Sequence, residues 1–464
     1  MTGRTHHGAA AEQGSGRRLS AQPAGVGASS STDTYLPEHG NGGYRTEHYD
    51  VELDYRLGTG RLAGRARITA VATQPLTRFT LDLGPFRINR VLIDGRAAAR
   101  FTHRGHKLNI WPTRPIAAGA EFMVEVRYVG TPVPIPSHWG ELGWEQLTDG
   151  ALVAAQPIGA PSWLPCNDHP TDKASYRITV TAPSAYRVVA NGRLVSSRVG
   201  ASTTTWLYES SEPMASYLAT VQIGRYELGE VIDGSVPIRA AVPPALVSSF
   251  GHDFGRQAQM MAVFERCFGP YPFAEYAVVV VDEELEIPVE AQGLSIFGAN
   301  HIDGVRGAEN LVAHELAHQW FGNSLTVADW RHIWLNEGLA NYAEWLWSEA
   351  SGSESAEAHA ARAWRKVAAL PQDLVLADPG VARMFDDRVY LRGALAMHAL
   401  RRTLGDTVFF AFLADWTTTH RHGTVTTAQF TALAERHAGR TLGELFTPWL
   451  HAPALPQLPT PGAR

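Results

Sequence analysis

Residues 314–323 read His-Glu-Leu-Ala-His-Gln-Trp-Phe-Gly-Asn, and this stretch decides the fold of the second half of the chain. Its two histidines, His314 and His318, are four positions apart, and Glu315 follows the first. In a helix this spacing places both imidazole rings on one face, with Cβ atoms about 5–6 Å apart. The stretch therefore predicts a helix over residues 308–321 that carries two histidines and a carboxylate side by side.

The paired histidines have two interpretations. One is a solvated helix with two surface histidines. The other is a metal site, because both rings can reach one Zn²⁺ at about 2.0–2.1 Å while Glu315 acts on a metal-bound water. Apolar residues around the pattern would bury nearly the whole helix: Leu311, Val312, Leu316, Ala317, Trp320 and Phe321. Since buried polar side chains without partners are costly, the metal site is favoured.

A second stretch supplies the third ligand. Residues 334–338 read Trp-Leu-Asn-Glu-Gly, and Glu337 lies 19 positions after His318, in a helix predicted over residues 333–350. That separation is enough for a helix end, a loop and an antiparallel helix. Two histidines and one glutamate are typical of catalytic zinc sites, which leave the fourth position to water. We therefore expect these three residues to bind one zinc ion per chain, since imidazole ligands favour zinc over harder cations.

The composition excludes several classes of protein. The 464 residues are 45% apolar and 19% charged, as in a globular protein, and the net charge of −6 disfavours nucleic-acid binding. The sequence contains no run of about 18 apolar residues, the length that a membrane-spanning helix requires. A secretory signal would require an apolar stretch after Arg17 and Arg18, and the sequence has none there. A cytoplasmic location is therefore expected, with secretion by another route left open, and a monomer is the default.

The chain contains only two cysteines, Cys166 and Cys267. This number excludes a disulfide framework, and neither cysteine has the spacing of a zinc or redox pair. We favour two buried thiols over a single disulfide.

Sequence patterns divide the chain into four segments. Residues 1–40, rich in Gly, Ala, Ser and Thr, predict a disordered tail. Residues 41–232 contain many short alternating stretches, which predict an antiparallel β-sandwich-like domain. Residues 233–452 are mostly helical, and residues 453–464 are a proline-rich extended tail. Helices are predicted over residues 308–321, 333–350, 356–369, 388–404, 407–416 and 427–437.

The two stretches at residues 314–323 and 334–340 resemble the aminopeptidase N family of zinc metallopeptidases, a gluzincin family that includes leukotriene-A hydrolase/aminopeptidase. The resemblance extends over about residues 44–452. It implies an α+β multidomain fold, in which the N-terminal β-domain precedes a mostly helical, thermolysin-like zinc peptidase domain at 233–452. It also implies a short form that lacks the family's large C-terminal helical domain, so we expect an open cleft that tolerates longer peptides.

Two further segments extend the resemblance. Residues 390–394 read Tyr-Leu-Arg-Gly-Ala, similar to the family's Tyr-x-Lys-Gly-Ala with Arg392 in place of lysine. The resemblance implies that Tyr390 stabilises an oxyanion; from the residues alone, a core aromatic is the alternative. Residues 164–170 resemble the family's Phe-Pro-Cys-x-Asp-x-Pro segment, and Gln156 before it matches a residue that holds the substrate's free amine.

The match to the family's exopeptidase signature is partial. The family reads Gly-Ala-Met-Glu-Asn, an aromatic residue, Gly and Leu, whereas residues 287–294 read Ile-Pro-Val-Glu-Ala-Gln-Gly-Leu. Glu290 is retained and can bind an N-terminal ammonium by a charge-assisted hydrogen bond. Pro288 removes a backbone N–H in a segment that contacts the peptide in the family. A changed affinity or substrate class is therefore expected.

Other polar residues carry weaker predictions. Asn341 and Glu344 follow Glu337 on its helix face, and either can orient a zinc-binding histidine, with ordinary helix packing as the alternative. Asp329 precedes the same helix and is interpreted as a loop or cap residue. Three histidines without the motif spacing are interpreted as structural: His301, His332 and His398.

The resemblance implies a zinc-dependent aminopeptidase that removes the N-terminal residue from peptides. Glu315 is then the general base, Tyr390 binds the oxyanion, and Glu290 and Gln156 receive the free N-terminus. Three alternatives use the same site: a zinc endopeptidase, an epoxide-hydrolysing relative and an inactive peptide-binding protein.

Overall fold

A computed structural model of the protein describes residues 25–231, 234 and 236–460. Most of the predicted N-terminal tail, residues 1–24, and the last four residues of the predicted C-terminal tail therefore lie outside the described part of the chain.

The first half of the chain consists of strands. In chain order they are β1 (Tyr44–Arg56), β2 (Arg61–Ala72), β3 (Phe79–Asp82), β4 (Arg87–Ile93), β5 (Arg96–Ala97), β6 (Arg100–Arg104), β7 (Lys107–Trp111), β8 (Glu121–Gly130), β9 (Ile135–Ser137), β10 (Gly140–Leu147), β11 (Gly150–Ala154), β12 (Ala174–Pro183), β13 (Arg187–Ala190), β14 (Arg193–Val199), β15 (Thr203–Met214) and β16 (Val221–Gly224).

These strands form three sheets. The largest has the order β14-β15-β12-β1-β2-β8-β4-β5, and the others are β13-β16-β11-β10-β9 and β3-β7-β6. Every second side chain of β2 is buried, as expected for a strand with one face on a core. The predicted β-domain is confirmed, with one exception to the antiparallel pattern: β1 and β12 pair in parallel.

The second half combines a mixed five-stranded sheet and a short two-stranded parallel sheet with helices. Its strands are β17 (Glu227–Val231), β18 (Ile238–Val242), β19 (Tyr276–Val281), β20 (Val289–Ala291), β21 (Leu294–Gly298), β22 (Thr326–Val327) and β23 (Thr424–Val425). Its helices are α1 (Val247–Asp253), α2 (Gln257–Phe268), α3 (Glu309–Ala317), α4 (Trp334–Ala350), α5 (Ala356–Ala368), α6 (Asp387–Leu404), α7 (Asp406–Thr419), α8 (Thr427–Ala438) and α9 (Gly443–Phe446). The five-stranded sheet has the order β17-β18-β19-β21-β20, so β20 lies at its edge, whereas β22 pairs with β23 in the two-stranded sheet.

The helix boundaries follow from capping residues. Ser355, Asp386 and Thr426 each accept a hydrogen bond from a backbone N–H in the first turn of α5, α6 and α8. The prediction for residues 308–321 is wrong at its end, because α3 stops at Ala317. Beyond it the regular α-helical bonding is lost: the Gln319 and Trp320 N–H groups bind carbonyls three residues back, and the Asn323 N–H binds the His318 carbonyl five residues back.

The predicted domain boundary at residue 232 is also wrong. It falls between β17 and β18, which pair along their whole length as antiparallel neighbours. Strand β18 then pairs in parallel with β19. The strand at Glu227–Val231 therefore belongs to the sheet of the second domain, because its hydrogen-bond partner is there.

The described part of the predicted N-terminal tail, residues 25–40, is ordered and bound. Its Asp33 carboxylate accepts the backbone N–H of Trp330 at 2.9 Å. Next to it, the Thr34 hydroxyl donates to the Asp329 carboxylate at 2.7 Å. The prediction of disorder fails here because the partners of these residues lie in the second domain, at the entrance to α4.

The described part of the C-terminal tail, residues 453–460, packs on the helices. The guanidinium of Arg392 on α6 is buried and donates to backbone carbonyls of Leu374, Pro448, Trp449, Ala452, Pro453 and Ala454. The Trp364 indole N–H also donates to the Pro456 carbonyl at 2.8 Å. This segment is therefore bound to the second domain, whose side chains donate hydrogen bonds to its carbonyls.

Two smaller predictions concern cysteines and membranes. Cys166 and Cys267 carry free thiols, the first buried and the second half-buried, as favoured above. Among the described residues, no helix is both long and apolar enough to span a membrane.

Candidate metal centre and amine-binding site

Three helices bring the predicted site residues together. His314 and Glu315 lie on α3 and His318 at its end, Glu337 lies on α4 and Tyr390 on α6. Helices α4 and α6 approach closely at a pair of glycines: a Cβ atom added to Gly338 would lie 2.6 Å from the Cα atom of Gly393. The ring of Tyr390 stacks beside that of His314, with centroids 6.1 Å apart.

The three predicted metal ligands converge on one point. The Glu337 Oε2 atom lies 3.4 Å from His318 Nε2 and 3.7 Å from His314 Nε2. All three ligand atoms lie within 4.8 Å of one another, and all three side chains are buried. Tetrahedral zinc with bonds of 2.0–2.1 Å holds its ligands about 3.4 Å apart, so the spacing and the donor set fit Zn²⁺.

Hydrogen bonds to the other ring nitrogens fix the orientation of both histidines. His314 Nδ1 lies 2.7 Å from Glu344 Oε1, and His318 Nδ1 lies 2.9 Å from the backbone carbonyl of Phe321. The Asn341 amide donates to the same Glu344 oxygen at 2.7 Å. These contacts leave each Nε2 free to bind a metal. The Phe321 carbonyl was not predicted, because a backbone acceptor has no sequence signal.

The charges around the centre favour a bound cation. Burial alone would lower the pKa of His318, but the carboxylates of Glu290 and Glu337 raise it to about 9. Burial would raise the pKa of Glu337, yet His318 and His314 hold it at about 2. The His318 shift shows that the carboxylates stabilise positive charge at this point, and the Glu337 shift shows that a neighbouring cation keeps that carboxylate ionised; a bound divalent metal would supply such a charge.

Glu315 differs from the predicted ligand Glu337 in its pKa and in its hydrogen bonding. Burial raises its pKa to about 8, against the opposing effect of His314 and His318. Its Oε2 atom is buried and has no hydrogen-bond partner within the described part of the chain. A buried acceptor without a partner is unusual in folded proteins, so this oxygen is available to a molecule bound at the centre.

The two predicted amine-binding residues lie beside the metal ligands. Gln156, in the loop after β11, donates through Nε2 to Glu290 Oε1 at 2.5 Å and approaches Glu337 Oε1 at 3.5 Å. Glu290, on the edge strand β20, is buried, and its Oε1 atom lies 3.9 Å from His318 Nδ1. Burial raises the pKa of Glu290, although the nearby His318 lowers it. The β-domain and the helical domain thus each contribute one polar side chain to this point.

Two amide side chains of the histidine-bearing segment form hydrogen bonds with the end of strand β20 and the turn that follows it. Gln319 accepts the Gly293 N–H at 2.8 Å and donates to the Ala291 carbonyl at 3.2 Å. Asn323 donates to the same carbonyl at 2.9 Å. Both residues stand in the opening motif, but their roles were not predicted, because the motif does not reveal which strand lies against it.

The weaker predictions have local explanations. Asp329 caps the turn before α4 by accepting the Arg331 N–H. His301 accepts from the Gly298 N–H, His332 contacts the Thr427 hydroxyl, and His398 lies between Tyr342 and Glu357. These three histidines are absent from the groups of potential metal ligands found among the described residues.

Family models match both halves of the chain. The Peptidase M1 N-terminal domain matches residues 45–218, and the Peptidase family M1 domain matches residues 252–449. The chain therefore belongs to peptidase family M1, and the predicted resemblance to zinc metallopeptidases is confirmed.

Individual relatives agree with this assignment. Aminopeptidase M1 of Arabidopsis thaliana is 26% identical over 323 residues, covering 64% of this chain and 36% of the relative. Endoplasmic reticulum aminopeptidase 1 of Homo sapiens is 23% identical over 415 residues, covering 81% and 44%. The chain thus spans less than half the length of these curated relatives.

Solved structures match over nearly their full length. An M1 zinc metallopeptidase from Deinococcus radiodurans is 30% identical, with a TM-score of 0.85, covering 93% of this chain and 99% of that one. A mutant of that enzyme bound to a Tyr-Ser-Ala substrate matches with the same TM-score of 0.85 and identity of 30%, over 92% of this chain and 99% of that one. The predicted order of a β-domain and a helical peptidase domain is therefore confirmed.

Proposed function

We propose that the protein is a zinc-dependent aminopeptidase that removes single residues from the N-terminus of peptides. The observation that carries the proposal is the position of the Gln156–Glu290 pair. Its atoms lie 3.5 Å and 3.9 Å from two of the three predicted zinc ligands. An α-ammonium held there leaves room for about one residue before the scissile bond, which favours removal of one residue at a time.

One zinc ion bound by His314, His318 and Glu337 would supply Lewis acidity toward water and toward the scissile carbonyl. Glu344 and the Phe321 carbonyl hold the two imidazoles in the tautomer that exposes Nε2. This support is typical of catalytic metal sites, where loss of an orienting group weakens metal binding.

Proton transfer falls to Glu315. Its unpartnered Oε2 atom accepts the proton of the attacking water and later returns it to the leaving amine. Burial raises the pKa of Glu315 to about 8, and a neighbouring metal cation would lower it toward the ionised form that a base requires.

Tyr390 is proposed to donate a hydrogen bond to the oxyanion. Burial and the nearby carboxylate of Glu337 raise the pKa of its hydroxyl, so the group keeps its proton at neutral pH. A positioned donor of this kind contributes about 3 kcal/mol to transition-state stabilisation.

The test compares a free and a blocked N-terminus. Zinc-loaded protein should hydrolyse alanyl-7-amino-4-methylcoumarin and leave the N-acetylated compound intact, because the acetyl group removes the ammonium that Glu290 binds. Equal hydrolysis of both compounds would refute the exopeptidase proposal and favour an endopeptidase. The supporting peptide complex of the Deinococcus radiodurans relative makes peptides the first substrates to examine.

A further inference from the structure

A cavity of about 380 Å³ opens beside the amine-binding pair. Its walls are β10, the end of β11 with the following loop, and the segment that enters β20. Gln156 and Val289 both line it, and they are the amine-binding glutamine and the neighbour of Glu290. The volume lies in the range of small-ligand sites in proteins.

The position of the cavity assigns it to one part of a substrate. If the α-ammonium binds the Gln156–Glu290 pair, the side chain of the same N-terminal residue lies nearest to this space. This step rests on the proposed function, because the pair receives an ammonium only in an exopeptidase.

One side of the cavity is apolar. Leu142, Ile287 and Pro288 line it, and Ile287 is 67% exposed, unlike nearly all other isoleucines of the described chain. A single exposed apolar residue is common on protein surfaces, but Ile287 lies with Leu142 and Pro288 on one wall of a concave site. Methylene groups of a long side chain would cover this wall.

The other side carries negative charge. Glu141 and Glu145 on β10 line the cavity, and no lysine or arginine is found among the described residues of its lining. Burial and the nearby carboxylates of Glu283 and Glu141 raise the pKa of Glu145, and a cation bound beside it would lower that pKa again. The adjoining residues 282–286 read Asp-Glu-Glu-Leu-Glu and add further negative charge.

We propose that this cavity binds the side chain of the N-terminal residue and selects lysine or arginine. The aliphatic stem lies along Ile287 and Pro288, and the cationic end pairs with Glu141 and Glu145. A long side chain with an apolar stem and a charged end satisfies both walls at once.

The experiment compares arginyl- and citrullinyl-7-amino-4-methylcoumarin, which are nearly isosteric but differ in charge. We expect kcat/KM to be about tenfold higher for the arginyl compound, since two partly screened ion pairs each contribute up to about fivefold. The double variant Glu141→Gln, Glu145→Gln should bring the two compounds within about threefold. Glu121→Gln, an exposed carboxylate on β8, is the matched control and should keep the preference.

Two outcomes would overturn the proposal. One is an active protein that hydrolyses both compounds equally, which leaves the proposed function intact. The other is a preference for arginine that survives in the double variant. If no substrate is hydrolysed, the proposed function fails, and calorimetry then tests the cavity assignment independently. The zinc-loaded Glu315→Gln variant should bind arginine amide about tenfold more tightly than citrulline amide. Equal binding of the two amides would refute the cavity assignment.

Discussion

Replacing Gln319 with methionine removes two hydrogen bonds between the histidine-bearing segment and the strand that carries Glu290, with little change in side-chain volume. Gly293 N–H loses its acceptor at 2.8 Å, and the Ala291 carbonyl loses a donor at 3.2 Å. That carbonyl keeps its bond from Asn323 at 2.9 Å. The Gly293 N–H is therefore the group left without a protein partner among the described residues.

The expected size of the effect follows from this single loss. An unsatisfied buried N–H costs about 1–3 kcal/mol, and because Gly293 is half-buried we expect a decrease of about 1–2 kcal/mol in the free energy of unfolding. Release of the strand also weakens the hold of Glu290 on the substrate amine. We expect KM for free-amine substrates to rise about tenfold, the equivalent of about 1.4 kcal/mol, with zinc content unchanged.

The assay combines urea unfolding, zinc analysis and steady-state kinetics on Gln319→Met. Gln259→Met on the exposed face of α2 is the control and should alter none of these quantities. Unchanged stability would refute the hydrogen-bond reasoning. A loss of stability with unchanged KM would show that these bonds support the fold without positioning Glu290.

Three further predictions follow from particular contacts. Glu344→Ala should weaken zinc binding about 10–100-fold in a chelator competition, since the variant frees His314 Nδ1; unchanged affinity would contradict the orienting role. Gly338→Ala forces apart two helices whose atoms would lie 2.6 Å apart, so it should lower stability by about 1–3 kcal/mol and reduce kcat through displacement of Tyr390, whereas Gly251→Ala, whose added methyl meets open space, should do neither. Burial raises the pKa of Asp172 to about 6, so the folded chain holds a proton that the unfolded chain releases near pH 4. The free energy of unfolding should therefore fall between about pH 4 and 6, by at most about 3 kcal/mol relative to Asp172→Asn, and parallel pH profiles of the two proteins would exclude this effect.

Local patterns predicted the parts of the site that one helix or one pair of helices determines. The spacing of His314 and His318 requires only helical geometry, and Glu337 follows at a distance that an antiparallel helix can span. Helical patterns likewise predicted the starts of α5, α6 and α8 within one residue.

The predictions that failed depend on partners far away in the sequence. Asp33 binds Trp330 across 297 positions, so the composition around Asp33 alone indicated disorder. The proline content of residues 453–460 likewise did not indicate that carbonyls of this segment bind the guanidinium of Arg392 on α6. The boundary at 232 failed because pairing of β17 with β18 decides which domain a strand joins.

In the site, too, the contacts that were not predicted depend on partners far away in the sequence. The contacts of Gln319 and Asn323 with Ala291 depend on which strand lies against the histidine segment, and a motif does not contain that register. The cavity lies where the two domains meet. Glu141 and Glu145 on one of its sides precede Ile287 on the other by about 150 residues in the chain. Neither arrangement has a local sequence signal.

The most direct test of the proposed aminopeptidase is mass spectrometry of one hexapeptide with a free N-terminus during incubation with the zinc-loaded protein. We predict a ladder of products that shorten by one N-terminal residue at a time, and no such ladder with Glu315→Gln, which should keep its zinc and its fold. Internal cleavage of the hexapeptide, or an equal ladder from the Glu315→Gln variant, would contradict the proposed mechanism.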